Sequence, residues 1–223
     1  TGRTWEQFDK DEIFTAHGMD ESTVSDAEFQ ATADGGRPHS RSGGGVVGLG
    51  TQKPLDENAT LAANAAPAGG LSISADDMTR WLLTQLGRGQ IPGSDRRLFS
   101  EEQSAQMWNP VVLQPITNYP AEFAVTEPNF DTYALGWDVR DYRGAKLIWH
   151  GGAVFGSLPA VALLPEKDVG IYIATNSEEG ERSLAARPHN FTHRPTNPDR
   201  FYEMLLLLAE GALADRQYAT AYN

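Results

Sequence analysis

The feature that most constrains the fold is a series of short, largely apolar segments between residues 133 and 177. Turn-forming residues separate these segments, which is the pattern of consecutive strands joined by tight turns. We expect at least three of them to pair as antiparallel strands, so a parallel sheet or a helix in this region would contradict the prediction. The predicted strands lie near residues 133–140, 145–151, 157–164 and 169–176.

The second predicted strand ends in the tripeptide His150-Gly151-Gly152. A pair of glycines weakens a strand and often marks a place where a ligand or another backbone comes close. The histidine would then be a polar group at that opening. The alternative is a strand end with a tight bend and a surface histidine, and the tripeptide taken alone favours this second interpretation.

The first residues predict a short helix that needs a partner surface. Thr4, with Gln7 three residues later, is a capping-box pattern and places the start of a helix at the fourth residue. Trp5, Phe8 and Ile13 supply its apolar positions. Because so short a helix with large aromatic side chains is not stable alone, we expect part of its partner surface to lie outside this sequence.

Three further helices follow from capping and periodicity. A serine caps each of two predicted helices, over residues 74–86 and 100–107, and acidic residues follow each cap where the helix dipole favours them. A terminal helix is predicted near residues 199–214. We expect this helix to pack on the sheet through Leu205 and Leu208.

Composition narrows the classes of function. The 223 residues are 40% hydrophobic, which suffices for one sizeable core. The net charge of −12 argues against a nucleic-acid partner. No apolar stretch is long enough to predict a membrane span. Because the chain has no cysteine, disulfides, thiolate nucleophiles and cysteine metal sites are excluded.

The segment from residue 33 to 50 is rich in glycine, serine and arginine and is interpreted as a long loop or insertion. It lacks the lysine and the preceding strand of a phosphate-binding loop. His189 and His193 have the spacing of two metal ligands on a helix, but Pro188 and Pro195 bracket them, which favours a solvated loop. No metal site and no cofactor are predicted.

Several segments, in the right order, resemble the serine β-lactamase-like hydrolases, the relatives of class C β-lactamases, DD-peptidases and family VIII esterases. Residues 1–19 resemble the helix and "I-F-x-P-L-G-M" segment of that family, and residues 66–82 its "A-G-G-L-x-S-T-A-x-D-M-A-R-F" helix. Residues 133–137 are similar to its "Y-G-L-G-W" strand, and residues 164–177 to its closing strands. His150-Gly151-Gly152 resembles the third catalytic motif, Lys/His-x-Gly.

The resemblance implies an α+β fold, with an antiparallel sheet flanked by helices. Residues 1–215 would be the C-terminal portion of a β-lactamase-like catalytic domain, and residues 216–223 a C-terminal tail. The nucleophile motif Ser-x-x-Lys and the Tyr-x-Asn or Tyr-x-Ser element have no suitable match in the chain. We therefore expect a missing N-terminal portion to supply them, from the same protein or from another chain. The family also implies a secreted or extracytoplasmic location.

The chemistry implied by the resemblance is acyl transfer on a small-molecule ester, amide or β-lactam. His150 would orient the catalytic tyrosine or the substrate, and the backbone N–H of Ala153 would stabilise the oxyanion. Gly151 and Gly152 would line the substrate site, with Gly152 letting the acyl group approach the strand. A neutral imidazole lacks the fixed charge of the more usual lysine, which favours an esterase or peptidase-like activity over β-lactam hydrolysis.

Two other functions remain open at this point. The chain could be a non-catalytic β-lactamase-like domain that binds a ligand or a partner, or a binding module that uses its glycine-rich loop. Residues 1–223 alone are expected to be inactive on esters and β-lactams, because no activated nucleophile is present. They are also expected to expose an apolar patch and to dimerise, aggregate or occur with a complementing chain.

Overall fold

The structure is a computed structural model that describes residues 2–42, 50–55, 61–116, 126–154 and 156–177. Its helices are α1 (Trp5–Phe8), which continues through a π-helical segment (Asp9–Phe14) into α2 (Thr15–His17), and then α3 (Asp26–Ala31), a 3-10 turn (Ala63–Ala65), α4 (Ala66–Gly69), α5 (Ala75–Leu86) and α6 (Glu101–Met107). Its strands are β1 (His39–Ser42), β2 (Thr51–Pro54), β3 (Val112–Leu113), β4 (Asp131–Tyr133), β5 (Asp138–Tyr142), β6 (Ala145–Gly151), β7 (Leu158–Leu164) and β8 (Val169–Thr175).

The main sheet contains six strands in the order β3-β4-β5-β6-β7-β8, and every neighbouring pair is antiparallel. Three of the four predicted strands are confirmed as β6, β7 and β8, with bounds that differ by one residue at most. Short turns join these strands, since antiparallel neighbours need no long crossover. Together with the helices, this sheet confirms the predicted α+β class.

The prediction of one strand near residues 133–140 is wrong, because a turn divides that segment into β4 and β5. The Ala134 N–H donates to the Trp137 carbonyl at 2.7 Å, and Gly136 between them has a φ of +79°, which a residue with a side chain rarely adopts. Ala134 and Trp137 are both buried. The apolar pattern therefore continues through the turn, which is why it predicts an unbroken strand.

The predicted helix starts are confirmed where the structure describes them. Thr4 and Ser100 each form a capping box, and Ser74 accepts the N–H of Asp77 at the start of α5. The first helix is longer than its four α-helical residues, since π-helical geometry carries it on to His17. The predicted terminal helix, with Leu205 and Leu208, lies outside the described residues.

The core lies on both faces of the sheet. Leu147 and Ile148 are neighbours on β6 and are each 0% exposed, and adjacent strand residues point to opposite faces. Helix α5 packs against β8, and its Leu82 belongs to the cluster on the face of Ile148. The other members of this cluster are Trp108, Ala134, Trp137, Val139 and Leu163.

Part of the segment predicted as a long loop forms a strand. Within residues 33–50, β1 pairs with the following β2 as an antiparallel hairpin with His39 opposite Pro54, whereas residues 43–49 lie outside the described residues. The His39 N–H donates to the Asn176 carbonyl at 2.9 Å, just after the end of β8. Backbone hydrogen bonds to the main sheet therefore compensate for the weak intrinsic strand preference of this segment.

His17 is a buried histidine in the first helical segment. Its ring is edge-on to Trp81, with centroids 6.1 Å apart, and Nδ1 lies 2.6 Å from the Ile13 carbonyl, to which it donates. Nε2 is buried and has no hydrogen-bond partner among the described residues. Burial lowers the pKa of His17 below its ordinary value of 6.5, and the nearby Arg96 lowers it further, although the bond to Ile13 opposes this.

We expect this histidine to make the fold less stable in mild acid. Below about pH 6.5, His17 binds a proton in the unfolded chain but not in the folded protein. The free energy of unfolding therefore decreases with falling pH until the pH drops below the lower pKa that His17 has in the folded protein. Urea unfolding at pH 7.5 and pH 5.5 measures this loss, which should be smaller in His17→Gln. An equal loss in both proteins would contradict the assignment.

Within the ranges described, no helix is long and apolar enough to cross a membrane.

Candidate functional site

His150 lies near the end of β6 and begins a row of side chains across the sheet. It pairs with Val161 of β7, which pairs in turn with Tyr172 of β8. Directly opposite residues in antiparallel strands point to the same face. The side chains of His150, Val161 and Tyr172 therefore lie side by side on the face of the sheet against which α5 packs.

Just beyond β6 the chain leaves the sheet through a tight turn. The Gly152 N–H donates to the Pro159 carbonyl at 3.0 Å, and Val154 and Ser157 exchange two backbone hydrogen bonds of 3.0 and 2.9 Å. Because amides of successive residues in an extended segment point to opposite sides, the N–H of Ala153 points away from β7. Ala153 is exposed and its N–H makes no hydrogen bond with a described residue.

A cavity of about 1020 Å³ opens over the row that His150 begins. His150, Gly151 and Gly152 line it from the sheet. Other walls come from α3, the β1–β2 hairpin, the segment around α4, and α5. Their lining residues include Asp26, Phe29, Arg37, Pro38, Leu55, Leu61, Pro67, Leu71, Met78, Val154, Val161 and Tyr172.

Burial sets the protonation of the two titratable rings in the row. Part of the His150 ring is exposed, yet desolvation by the surrounding protein lowers its pKa below 6.5, so the imidazole is neutral at pH 7. Desolvation also raises the pKa of Tyr172 above 10.0, so its hydroxyl keeps its proton and can donate a hydrogen bond. Neither group carries a fixed charge at neutral pH.

The described fold does not require a glycine at position 152. A Cβ built on Gly152 would meet only the Pro159 Cγ, at the ordinary contact distance of 3.9 Å, and its φ is not positive. Gly156 is the opposite case, with a φ of +76° and a Cβ position 2.7 Å from the His39 backbone nitrogen. Gly156 therefore serves the packing of the hairpin, whereas Gly152 keeps the cavity surface open.

Three of the four site residues predicted from the sequence meet in the cavity wall, and Ala153 follows them with its amide unpaired. Sequence reasoning missed Tyr172, Arg37 and Asn176. Tyr172 could have been found from strand register, since it stands eleven residues after Val161 across a hairpin. Arg37 and Asn176 gave no signal, because they meet only through tertiary packing.

Among the described residues, no three histidine or acidic side chains lie close enough together to bind a metal ion. The pair His189 and His193 lies outside the described residues.

Comparison with known proteins places this geometry in a family. The fold is similar to an octameric penicillin-binding protein homologue from Pyrococcus abyssi, with a TM-score of 0.65 and 20% identity over 94% of this chain and 38% of that one. It is also similar to a penicillin-binding protein from Bacillus halodurans, with a TM-score of 0.59 and 15% identity over 94% of this chain and 49% of that one.

The chain thus spans less than half the length of these two solved structures. No curated protein matches the sequence. The beta-lactamase family model matches residues 1–191, which is most of the chain. The chain therefore belongs to the beta-lactamase family, whose members are of the serine hydrolase type.

Proposed function

We propose that this chain forms one side of the active site of a serine hydrolase that transfers acyl groups from small-molecule esters or amides to water. The observation that carries the proposal is the backbone N–H of Ala153, which makes no hydrogen bond with a described residue and lies in sequence between Gly152 and Val154 of the cavity wall. An N–H that is held by the fold and free of protein partners suits the negative oxygen of a tetrahedral intermediate.

Two residues of the His150-Gly151-Gly152 motif support the same role. His150, neutral at pH 7, can donate or accept a hydrogen bond and so orient the substrate or a catalytic tyrosine. Gly152 leaves room for the acyl group beside the strand. The reaction would then proceed by attack of a serine on the carbonyl, loss of the alcohol or amine, and hydrolysis of the acyl-enzyme.

The nucleophile in this proposal comes from sequence other than residues 1–223. Ser72 and Ser157 line the cavity, but neither hydroxyl makes a hydrogen bond to a lysine or histidine of the described residues. A serine without an adjacent base is a weak nucleophile. The neutral His150 also favours esters over β-lactams, because it offers no fixed charge to a β-lactam carboxylate.

Active-site labelling tests this proposal. In the protein encoded by the complete reading frame that contains this chain, a fluorophosphonate probe should acylate one serine, located by mass spectrometry outside residues 1–223. The same probe should leave isolated residues 1–223 unlabelled, and these should not hydrolyse 4-nitrophenyl butyrate or nitrocefin above background. Labelling of a serine within residues 1–223 would refute the assignment of the nucleophile.

A non-catalytic ligand-binding domain is the second candidate. It is favoured by the lack of any Ser-x-x-Lys segment in the chain, combined with a cavity of about 1020 Å³. Complete absence of labelling in the longer protein would support this candidate and contradict a hydrolase.

Glycine substitutions test whether the cavity surface is used. Gly152→Ala should change the free energy of unfolding by less than about 0.5 kcal/mol, because the new methyl group meets no close neighbour. It should nevertheless slow acylation, since the methyl group enters the space of the acyl chain. Gly156→Ala is the matched control and should destabilise the fold by about 1–3 kcal/mol. Unchanged acylation in Gly152→Ala would contradict a substrate site at this strand.

A further inference from the structure

The cavity contains one fixed positive charge among the described residues that line it. This is Arg37, in the segment that leads into the β1–β2 hairpin. Its guanidinium makes no hydrogen bond or ion pair with a described residue, and the carboxylate of Asp26, which also lines the cavity, lies beyond ion-pair distance. In a chain with 30 acidic and 18 basic residues, a cation at a cavity that no described residue neutralises can bind an anionic ligand.

The backbone that carries Arg37 is held firmly in place. The Arg37 carbonyl accepts hydrogen bonds from Asn176 Nδ2 at 3.0 Å and from His39 Nδ1 at 2.7 Å. The His39 N–H in turn donates to the carbonyls of Asn176 at 2.9 Å and Gly156 at 3.3 Å. Asn176 thus clamps the segment with both its side chain and its backbone, so Arg37 is fixed relative to the end of β8.

Strand register gives the separation between Arg37 and the reacting end of the cavity. Thr175 of β8 pairs with Leu158 of β7, which follows the turn that begins at Ala153. The Arg37 segment runs beside the end of β8, so three strand spacings, roughly 14 Å, separate its backbone from the strand of His150, and the long Arg37 side chain covers part of this distance. A carboxylate at Arg37 would therefore be remote from a carbonyl held at Ala153.

Many of the residues that line the cavity are apolar. They include Val161 on the sheet, Met78 of α5, and Leu55, Leu61 and Leu71 on the surrounding segments. An apolar chain fits against these residues, while the Arg37 guanidinium suits a carboxylate, which it can bind through two parallel hydrogen bonds. The combination describes a ligand with an apolar middle and an anionic end.

We propose that Arg37 is a specificity-determining residue that binds the terminal carboxylate of an ω-carboxyacyl substrate, whose apolar chain crosses the cavity from the carbonyl at Ala153. Asn176 is a positioning residue that holds Arg37 in place. The choice of substrate rests on the proposed acyl-transfer function, whereas the binding of a carboxylate at Arg37 does not.

Binding to the protein of the complete reading frame tests the carboxylate site separately from turnover. Isothermal titration calorimetry of that protein with octanoate and with octanamide should give at least about tenfold tighter binding of octanoate. Arg37→Gln should remove this preference, and Arg37→Lys should retain part of it. Arg41→Gln is the matched control, since it changes the net charge equally on the same hairpin without altering the cavity, and it should keep the preference.

Turnover by the protein of the complete reading frame tests the specificity. The 4-nitrophenyl half-ester of suberate should have a lower KM than 4-nitrophenyl octanoate, and the half-ester of succinate should lack this advantage because its carboxylate is too close to the carbonyl. Arg37→Gln should raise KM for the suberate half-ester about tenfold with little change in kcat, and leave octanoate ester kinetics unchanged. Asn176→Ala should have a smaller effect of the same kind.

The outcomes separate the two proposals. Equal affinity for octanoate and octanamide, or a preference that survives Arg37→Gln, would overturn the role of Arg37 even if the protein hydrolyses esters. Binding as expected in a protein that hydrolyses no ester would instead overturn the acyl-transfer function and leave the carboxylate site standing.

Discussion

We expect the substitution His150→Ala to lower kcat/KM for 4-nitrophenyl butyrate by about 100-fold in the protein of the complete reading frame, as the loss of an orienting or acid–base group usually does. The imidazole lines the cavity next to the open amide of Ala153, and its lowered pKa keeps it neutral and able to accept a hydrogen bond at pH 7. Steady-state kinetics measure this effect.

The stability of the same variant decides between a role in the site and a role in the fold. His150 is exposed and makes no side-chain hydrogen bond with a described residue, so the free energy of unfolding should change by less than about 0.5 kcal/mol. A large loss of stability with a proportionate loss of activity would make His150 structural. Unchanged kinetics would show that the third-motif assignment of His150-Gly151-Gly152 is wrong.

The largest expected effect on stability comes from Asp77, a buried carboxylate in the first turn of α5. It is 3% exposed and accepts hydrogen bonds from the Ser22 hydroxyl at 2.7 Å and from the Glu21 N–H at 3.0 Å. Asp77→Ala would leave the buried Ser22 hydroxyl and the partly buried N–H of Glu21 without their acceptor. We expect the free energy of unfolding, measured in urea, to fall by about 2–4 kcal/mol.

Asp76 provides the matched control, because it adjoins Asp77 and is exposed. Both residues follow the Ser74 cap, so both interact equally with the helix dipole. Asp76→Ala should therefore cost less than about 1 kcal/mol. Similar losses for the two variants would mean that the dipole, and not the link between α5 and the segment after Met19, explains the role of Asp77.

Local patterns in the sequence were sufficient to predict the described helix starts and three of the four strands expected between residues 133 and 177. The capping residues Thr4, Ser74 and Ser100 act on backbone groups within four residues, so their effect does not depend on the rest of the chain. The same holds for β6 to β8, where turn residues separate apolar runs. The order of family-like segments was sufficient for the α+β class and for the family itself.

Local patterns failed where tertiary contacts outweigh them. The turn at Gly136 divides an apolar segment into two strands. Ala134 and Trp137 are buried on either side of this turn, so the hydrophobic pattern continues through it and does not reveal that the chain changes direction. The β1–β2 hairpin forms in a glycine-rich segment because His39 is bonded to the end of β8, more than 130 residues away.

The sequence by itself identified residues 150–152 as a candidate site, because a histidine followed by two glycines on a strand is a local pattern. Only the tertiary structure decided what surrounds them. Tyr172 comes to the cavity through strand register, and Arg37 comes to the same cavity on a segment that Asn176 bonds from a distant part of the chain. Such contacts depend on how the whole sheet closes against its neighbours, and no short stretch of sequence encodes that arrangement.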